Sequence, residues 1–365
     1  MLYSWLTMIF GSACDTGNIT SRAALAALTA FAASLMIGRR LIPMLNVWHN
    51  RCWREKFFAR HQLLKDETKV KDKTPAMGGI IFISALLVTS LIWVDMFNNY
   101  VQCVIFSMVA LSCVGFVDDW IKLTTERDGI SAKRKFLLQS AIGGAIGLAL
   151  YLDNYIAPGS GDRSSIYLPF VGLAIGIGPL YVAWCAFIVN ATSNSTNLTD
   201  GVDGLAIGVI IIMAIALGAL ACITGSPGLS GSYSIPYIQK SSELVVLIGG
   251  FVGAGLGFLT FNTYPAKVFM GDTGSLGLGG MIGSIALILR HEMILPIIGV
   301  ILIVECGSVI IQVFCFKMYG YRPFAMAPFH HHVKRKYGWH EQQITTRFWT
   351  ITLLAIFLCM SFVKS

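Results

Sequence analysis

Ten long apolar segments constrain this sequence more than any other feature. A helix needs about 20 largely apolar residues to cross the hydrocarbon layer of a bilayer. The sequence predicts an all-α polytopic membrane protein with about ten transmembrane helices, built as one integral membrane domain over residues 1–365. The predicted spans lie at about 23–42, 77–94, 100–117, 136–152, 170–189, 205–223, 244–261, 276–289, 295–316 and 349–363.

The composition supports a membrane protein and excludes several other classes. Hydrophobic residues make up 55% of the chain and charged residues only 13%, which is about half the charged share of soluble domains. Such a chain cannot cover a water-facing surface with polar groups. We therefore exclude a soluble globule, a disordered protein and a nucleic-acid-binding tail protein. The apolar start, Met1 to Phe10, lacks a basic region and a clear cleavage site, so we expect no cleaved signal peptide.

The basic residues alternate between the loops and predict the orientation of the chain. Of the 27 Lys and Arg residues, 20 lie in the odd-numbered loops and 5 in the even-numbered loops and the two tails. Arg39 and Arg40 complete the count, at the end of the first span. Because excess Lys and Arg stays cytoplasmic, the odd loops are predicted to face the cytoplasm and both termini the periplasm. The same asymmetry explains the net charge of +8 without a nucleic-acid partner.

The informative polar clusters all fall in these odd loops. Five clusters on one face of a membrane domain suggest one site on the cytoplasmic face. The clusters are residues 71–79, 118–122 with 133–135, 194–204, 262–275 and 330–332.

Carboxylates are the main chemical groups in the clusters. Asp118 and Asp119 lie where a span meets the interface, and they either bind a divalent cation, bias a proton transfer or form a solvated helix end. Asp200 and Asp203 lie in a loop without Lys or Arg, which favours metal or hydrogen-bonding work over a simple turn that caps the sixth span. Asp272 is flanked by glycines whose backbone can approach a phosphate.

Basic and histidine residues complete the set. As a group beside carboxylates, the basic residues suit a polyanionic phosphate ligand, although each could also anchor the membrane interface; they are Lys71, Lys122, Lys133 and Lys135. His330, His331 and His332 are consecutive, so they do not share one helical face, and phosphate hydrogen bonding is favoured over a zinc site. Glu305 lies inside the ninth span, where we expect a packing carboxylate with a polar partner.

Six strings occur in a fixed order along the chain. They are Thr-Pro-Ala-Met-Gly-Gly (74–79), Asp-Asp-Trp-Ile-Lys (118–122), Asn-Leu-Thr-Asp-Gly-Val-Asp-Gly-Leu-Ala (197–206), Val-Phe-Met-Gly-Asp-Thr-Gly-Ser (268–275), Ala-Pro-Phe-His-His-His (327–332) and Arg-Phe-Trp (347–349). Together they resemble the phospho-N-acetylmuramoyl-pentapeptide transferase family, within the polyprenyl-phosphate N-acetylhexosamine-1-phosphate transferase superfamily. The histidine triplet after proline resembles the muramoyl-pentapeptide branch more than the GlcNAc-phosphate branch.

The resemblance implies a Mg²⁺-dependent enzyme of the bacterial inner membrane. It would transfer phospho-MurNAc-pentapeptide from UDP-MurNAc-pentapeptide to undecaprenyl phosphate, which gives lipid I and UMP in peptidoglycan synthesis. The resemblance also implies a homodimer in the lipid bilayer. A polyprenyl-phosphate GlcNAc-1-phosphate transferase remains the alternative enzyme, and a secondary transporter with carboxylates near the bilayer midplane remains the alternative class.

By the same resemblance, Asp272 is the expected magnesium ligand, and Asp118 and Asp119 are the expected carboxylate pair near the lipid phosphate. The histidines are expected at the sugar-phosphate end, as catalytic residues together with the three aspartates. The expected substrate-binding residues are, on the phosphate side, Lys71, Lys122 and Lys135, and around the nucleotide, Asn197, Asp200, Asp203, Asn262 and Phe269, with Phe269 stacked on uracil.

Overall fold

The computed structural model describes residues 18–60, 74–152, 164–168, 171–233 and 235–361, without the side chains of 51–60. The expectations for Met1 to Phe10 and for Lys71 lie outside this part. The elements are α1 (Ile19–Arg60), α2 (Gly79–Trp93), α3 (Asn99–Thr124), α4 (Ala132–Leu152), β1 (Ser165–Leu168), β2 (Leu173–Gly176), α5 (Leu180–Thr199), α6 (Leu205–Thr224), α7 (Pro227–Ser232), α8 (Glu243–Asn262), α9 (Gly271–Ile288), a 3₁₀ turn (Glu292–Ile294), α10 (Leu295–Ile298), α11 (Val300–Tyr319), α12 (Phe329–Tyr337) and α13 (Glu341–Ser361).

The predicted class, an all-α polytopic membrane protein, is confirmed. Within the described residues, seven helices are long and apolar enough to cross a bilayer, namely α1, α3, α4, α6, α8, α11 and α13. Helices α2, α5 and α9 occupy the other three predicted spans. Large apolar side chains cover the outside of the bundle, for example Leu28, Ile310 and Phe357. In water such a surface would aggregate, whereas hydrocarbon solvates it.

Helix α9 forms the centre of the bundle. Every residue from Asp272 to Ile288 is buried, and α9 packs mainly against α3 and α5. Its glycines permit this close approach: a Cβ atom on Gly279 would lie 2.3 Å from the backbone oxygen of Thr192 in α5. Around this centre α1 packs on α8 and α4 packs on α5. Small residues at such contacts let backbones approach closely in membrane helix packing.

Helix α5 extends further than the sequence predicted. Residues 190–199, placed in the fifth loop by their Asn, Ser and Thr content, are helical. Their hydroxyl groups donate to carbonyls four residues earlier, as Thr196 Oγ1 does to Thr192 O at 2.8 Å. On the side facing α4, Asn194 Nδ2 donates to Gln139 Oε1 at 3.0 Å. Polar side chains satisfied in this way can continue a helix to the membrane interface.

A small β-hairpin corrects the fifth predicted span. That span was expected at 170–189, but its first part forms β2, which pairs antiparallel with β1, and α5 begins only at Leu180. The β-branched and apolar run from 173 to 177 fits either structure by hydrophobicity alone. The hairpin is held by Arg290, whose guanidinium donates to the backbone oxygen of Ser165 at 2.9 Å.

A buried ion pair joins three helices, α1, α2 and α8. It lies at the opposite end of the bundle from the first turn of α9. The guanidinium of Arg22 in α1 donates to Glu243, the first residue of α8, with its two contacts at 2.5 and 3.1 Å. The same guanidinium donates to the backbone oxygen of Trp93, at the end of α2. Glu243 also accepts from the backbone N–H of Asp95 at 2.7 Å. Each ion of the pair is therefore hydrogen-bonded as well as balanced.

We expect Glu243→Gln to lower the stability of the detergent-solubilised protein. The neutral amide would leave the buried Arg22 guanidinium without its counter-charge, at a cost of about 2 kcal/mol. Thermal unfolding followed by circular dichroism measures the change, with the exposed Glu126→Gln as the matched control. An unfolding temperature equal to that of the control would show that this pair contributes nothing to stability.

Candidate active site

Asp119 holds the first turn of α9. Its Oδ1 atom accepts from the backbone N–H of Asp272 at 3.1 Å, and its Oδ2 atom accepts from the Thr273 backbone N–H at 2.9 Å and the Thr273 hydroxyl at 2.7 Å. The first N–H groups of a helix have no partner within the helix, and a carboxylate there also interacts favourably with the helix dipole. The carboxylate of Asp119 therefore fixes the backbone position of Asp272, from which the Asp272 side chain extends.

Two glycines make this junction possible. Gly271 adopts φ = +72°, a left-handed conformation that favours glycine, and a Cβ atom there would lie 2.6 Å from Asp119 Oδ2. Gly115 lies one turn before Asp119 in α3, and its Cβ atom would lie 2.1 Å from the backbone oxygen of Asp272. Helix α3 can thus approach the start of α9 closely enough for Asp119 to reach the N–H groups.

A four-residue charge cluster lies beside this junction. The ammonium of Lys122 lies 2.5 Å from Asp118 Oδ2 and 3.0 Å from Asp272 Oδ2. The ammonium of Lys135, at the start of α4, lies 2.5 Å from Asp272 Oδ2 and 3.7 Å from Asp118 Oδ2. The other oxygen of Asp118 accepts from the backbone N–H of Ile130 at 2.7 Å. Two lysines thus bridge two buried carboxylates that come from different helices.

Asn197 links this cluster to α5. Its Nδ2 atom donates to Asp272 Oδ1 at 2.8 Å and to Ser275 Oγ at 2.9 Å. Both oxygens of the Asp272 carboxylate are therefore engaged, one by the amide and the other by the two lysines. This places one carboxylate at the meeting point of α3, α4, α5 and α9.

An open cavity of about 130 Å³ adjoins the cluster. Its walls include four of the residues that the resemblance placed around a nucleotide. Asn262 is a structural part of the wall, because its side chain accepts from Gly204 N at 3.1 Å and donates to Val268 O at 3.0 Å. The lining residues are Asp200, Gly201, Val202, Asp203, Asn262 and Phe269.

Two carboxyl groups, those of Asp200 and Asp203, lie in the cavity wall. Burial and the carboxylates of Asp272, Asp119 and Asp203 raise the pKa of Asp200 to about 8. Repulsion of this kind is relieved by protonation or by a cation.

The donor chemistry around Asp272 fits magnesium in part. Within the described ranges, no three His, Cys, Asp or Glu side chains form a group that could enclose a metal. However, Mg²⁺ commonly takes only one or two carboxylates and completes its shell with water and substrate phosphates. Asp272 supplies one such carboxylate, close to the carboxyl group of Asp200 in the cavity wall.

The segment just before α2 pairs with the segment just before α9. Pro75 O accepts from Phe269 N at 2.9 Å, and Phe269 O accepts from Gly78 N at 2.8 Å. Phe269 is half-buried on the cavity wall. The backbone of 75–79 therefore fixes the segment that carries Phe269.

The three histidines have different surroundings. His330 is buried against Glu305, with Nδ1 3.0 Å from Glu305 Oε2, and His331 packs on it with ring centroids 4.2 Å apart. His332 instead lies among the rings of Phe324 and Phe329, and its Nδ1 atom accepts from Ala325 N at 3.0 Å. The expected polar partner of Glu305 is thus His330.

The structure brings most of the expected residues to one end of the bundle. Asp118, Asp119, Lys122, Lys135, Asn197 and Asp272 form one connected cluster, whereas His332 belongs to an aromatic cluster. Sequence reasoning missed Thr273 and Ser275, which are hydroxyl partners of Asp119 and Asn197. Both residues lie inside the string at 268–275. Their hydroxyl groups, close to Asp272 in the sequence, could have identified them as hydrogen-bonding residues of the site.

One comparison with known proteins bears on this cluster. Residues 101–290 match the family model described as glycosyl transferase family 4. The match spans 190 of the 365 residues, from α3 to the end of α9. It therefore contains Asp118, Lys122, Lys135 and Asp272, together with every residue that lines the cavity.

Proposed function

Because the chain belongs to glycosyl transferase family 4, we propose that it transfers a sugar phosphate from a nucleotide to a polyprenyl phosphate. The specific reaction that we propose moves phospho-MurNAc-pentapeptide from UDP-MurNAc-pentapeptide to undecaprenyl phosphate and yields lipid I and UMP. The string Ala-Pro-Phe-His-His-His at 327–332 supports the muramoyl-pentapeptide substrate over GlcNAc. Family membership also favours a transferase over the transporter.

The bridging lysines are the observation that carries this proposal. Both proposed substrates are anionic at the reacting groups, so they repel each other in the absence of positive charge. The ammonium groups of Lys122 and Lys135 lie at one point between two helices, beside the cavity. Fixed cations of this kind stabilise the charge of a phosphoryl transfer and cost no reorganisation. We assign them, with Lys71 from outside the described residues, to phosphate binding.

The proposed step exchanges one phosphoanhydride bond for another. An oxygen of the lipid phosphate forms a bond to the β-phosphorus of the UDP-sugar, and the bond from that phosphorus to the bridging oxygen breaks. UMP leaves with the electron pair. The second pKa of a phosphate monoester is near 6, so the lipid phosphate is mostly a dianion at pH 7 and needs no strong general base. Asp118 accordingly has an electrostatic role, consistent with its contacts to both lysines.

We assign Asp272 as the residue that would hold Mg²⁺. A bound magnesium ion would neutralise charge on the transferred phosphate groups. Asn197 fixes the orientation of the Asp272 carboxylate through the 2.8 Å hydrogen bond. Asp119 fixes its backbone. Asn197 and Asp119 therefore position the Asp272 carboxylate, and this role does not require contact with the substrate.

The nucleotide would enter the cavity beside Phe269. Asp200 and Asp203 offer carboxylates, although one oxygen of Asp203 already accepts from Ala266 N at 2.9 Å. Asn262 shapes the wall through its backbone contacts. We also propose that the protein works as a homodimer in the bacterial inner membrane, with this end of the bundle in the cytoplasm.

A covalent phospho-enzyme on an aspartate is the second mechanism. In this route an aspartate oxygen would attack the β-phosphorus and UMP would leave, and the lipid phosphate would then displace the aspartate. Exchange of labelled UMP into the UDP-substrate without lipid phosphate would support the covalent route. We expect no such exchange.

The substrate assignment is tested with purified protein in detergent, which contains no sealed compartment. We expect UMP release and a labelled lipid product with UDP-MurNAc-pentapeptide and undecaprenyl phosphate, and at least tenfold less with UDP-GlcNAc. The reverse preference would assign the GlcNAc reaction. Absence of UMP release with both nucleotides, from protein that unfolds cooperatively, would contradict a transferase.

We expect Phe269→Ala to raise KM for the UDP-substrate by roughly tenfold, because stacking of a base on an aromatic ring contributes about 1–3 kcal/mol. At saturating substrate, kcat should change much less. Phe269→Tyr is the matched control, since it keeps the ring. Steady-state kinetics of UMP release measure both constants. An unchanged KM in the alanine variant would remove the stacking role.

A further inference from the structure

An apolar groove separates α12 from α13 on the outside of the bundle. Its volume is about 540 Å³. Phe329, Val333 and Tyr337 line one wall, at the four-residue spacing that keeps side chains on one face of a helix. Phe348 and Ile351 of α13 line the opposite wall. Both walls therefore present apolar side chains to an occupant of the groove.

The groove opens toward the hydrocarbon of the bilayer. Helix α13 is long and apolar enough to cross a membrane. Ile351 is exposed, and the exposed Leu354 and Leu358 follow it three and seven residues later, on the same side of the helix. Lipid chains, rather than water, therefore lie against this side of α13.

Two aromatic rings of the groove carry cations on their faces. The guanidinium carbon of Arg347 lies 3.9 Å from the ring centroid of Trp339, and Lys336 Nζ lies 5.5 Å from that of Tyr337. Aromatic rings attract cations in this position, and Trp and Tyr are enriched at the level of lipid headgroups. The two rings line the groove with their centroids 6.3 Å apart. Two positive charges therefore share one end of the groove.

These two charges lack acidic partners within the part of the chain that the structure describes. Neither Arg347 nor Lys336 has a carboxylate oxygen within 4.0 Å there. Glu341, which lies between them in the sequence, pairs instead with Lys334 at 2.7 Å. Basic pockets at the ends of membrane helices bind the headgroups of anionic lipids. A negatively charged headgroup would balance the charge that Arg347 and Lys336 leave.

The groove lies at the same end of the bundle as the catalytic cluster but on another side of α13. Thr345 Oγ1 donates to the backbone oxygen of Asp203, in the wall of the cavity, at 3.0 Å. Arg347 follows two residues later, about 200° around the helix. The residues that line the groove differ from those that line the cavity. An occupant of the groove would therefore be a second ligand, separate from the nucleotide.

We propose that the groove between α12 and α13 binds an anionic glycerophospholipid. One acyl chain lies between the apolar walls, against Val333 and Ile351. The headgroup lies at the aromatic end, where Arg347 and Lys336 supply the positive charge. This site goes beyond the proposed function, because the lipid takes no part in the transfer of the sugar phosphate.

Lipid binding can be measured by native mass spectrometry of the full chain, delipidated in detergent and titrated with phosphatidylglycerol or phosphatidylcholine. We expect phosphatidylglycerol to bind at least about fivefold more tightly than phosphatidylcholine. Arg347→Gln should weaken the binding of phosphatidylglycerol about fivefold, the contribution of one cation near an anionic lipid. Equal affinity of the wild-type protein for both lipids would overturn the proposal, as would wild-type affinity for phosphatidylglycerol in the Arg347→Gln variant.

Arg322→Gln is the matched control for the loss of charge. Arg322 is also exposed and lies over an aromatic ring, 5.1 Å from the centroid of Phe316, but it does not line the groove. This variant should bind phosphatidylglycerol like the wild-type protein, and an equal loss in both variants would count against a specific site. Should Arg347→Gln not fold, Lys336→Gln, which changes an exposed side chain, provides the second variant with the same expected loss.

A bulky side chain in the groove tests the position of the acyl chain. Thr350 lines the groove and is exposed. We expect Thr350→Trp to weaken the binding of phosphatidylglycerol roughly tenfold, because the indole takes the contacts that the chain would make. Leu28→Trp, which adds the same ring at an exposed position on α1, should leave the affinity unchanged. Unchanged affinity in the Thr350→Trp variant would contradict the placement of the chain.

The same titrations distinguish other occupants of the groove. If undecaprenyl phosphate displaces phosphatidylglycerol and its own binding falls in the Arg347→Gln variant, the groove belongs to the lipid substrate and the proposal is wrong. If Thr350→Trp converts dimers to monomers with the number of bound lipids unchanged, the groove is an interface between two copies. We expect neither result. Because no nucleotide is present, the outcome is independent of whether the protein releases UMP.

Discussion

Asp272→Asn is expected to lower kcat by about a thousandfold, the upper range for loss of one preorganised electrostatic contact. The substitution removes the charge that both lysines face, at 2.5 and 3.0 Å, and removes the proposed magnesium ligand. The amide oxygen can still accept from Asn197. Since Asp118 also faces both lysines, the protein should still fold.

The measurement is UMP release against magnesium concentration, with thermal unfolding in parallel. Asp95→Asn is the matched control, because Asp95 is exposed near the buried Arg22–Glu243 pair and far from the cluster in the fold. If the Asp272→Asn variant turned over as fast as the wild-type protein at limiting magnesium, Asp272 would be excluded as the metal ligand. Loss of cooperative unfolding would instead show that the charge cluster is required for folding.

Asp119→Asn is expected to reduce both stability and turnover. The carboxylate accepts three hydrogen bonds at the start of α9, but an amide offers only one oxygen and would direct its N–H₂ group at N–H groups. Loss of hydrogen bonds to a charged group costs about 1.5–3 kcal/mol. Displacement of Asp272 should lower kcat by about 10–100-fold, as for other supporting contacts of a metal ligand.

Thr273→Val tests the same junction more gently. It removes only the hydroxyl donor to Asp119 Oδ2 and leaves both backbone contacts in place. We expect a smaller loss of stability, about 1 kcal/mol, and a correspondingly smaller loss of kcat. If Asp119→Asn abolished turnover with an unchanged unfolding temperature, Asp119 would have to act on the substrate rather than on α9.

The spans could be predicted from the sequence because hydrophobic length is set by the bilayer. The exceptions have specific causes. In α5 the run of Asn, Ser and Thr looks like a loop, but its side chains are satisfied by the helix's own carbonyls and by Gln139. A hydropathy profile does not take such hydrogen bonds into account, so it cannot predict this part of the helix. The strands β1 and β2 could not be predicted either, since short apolar runs fit a strand or a helix.

The separate roles of neighbouring residues could not be predicted. Asp118 and Asp119 have the same chemistry, yet successive residues of a helix point about 100° apart. One carboxylate therefore faces Lys122, while the other reaches the N–H groups of α9. The same rotation separates His330, which faces Glu305, from His332. These partners depend on how the helices pack, which the sequence does not specify locally.

The most direct test of the lysine-bridged site is the stoichiometry of transfer in a single turnover. Purified protein, UDP-MurNAc-pentapeptide and undecaprenyl phosphate should give one UMP for each lipid-linked sugar phosphate, and UMP release should require the lipid phosphate. Release of UMP at the same rate without lipid phosphate, or formation of no lipid-linked product, would contradict direct transfer between two anions held at Lys122 and Lys135.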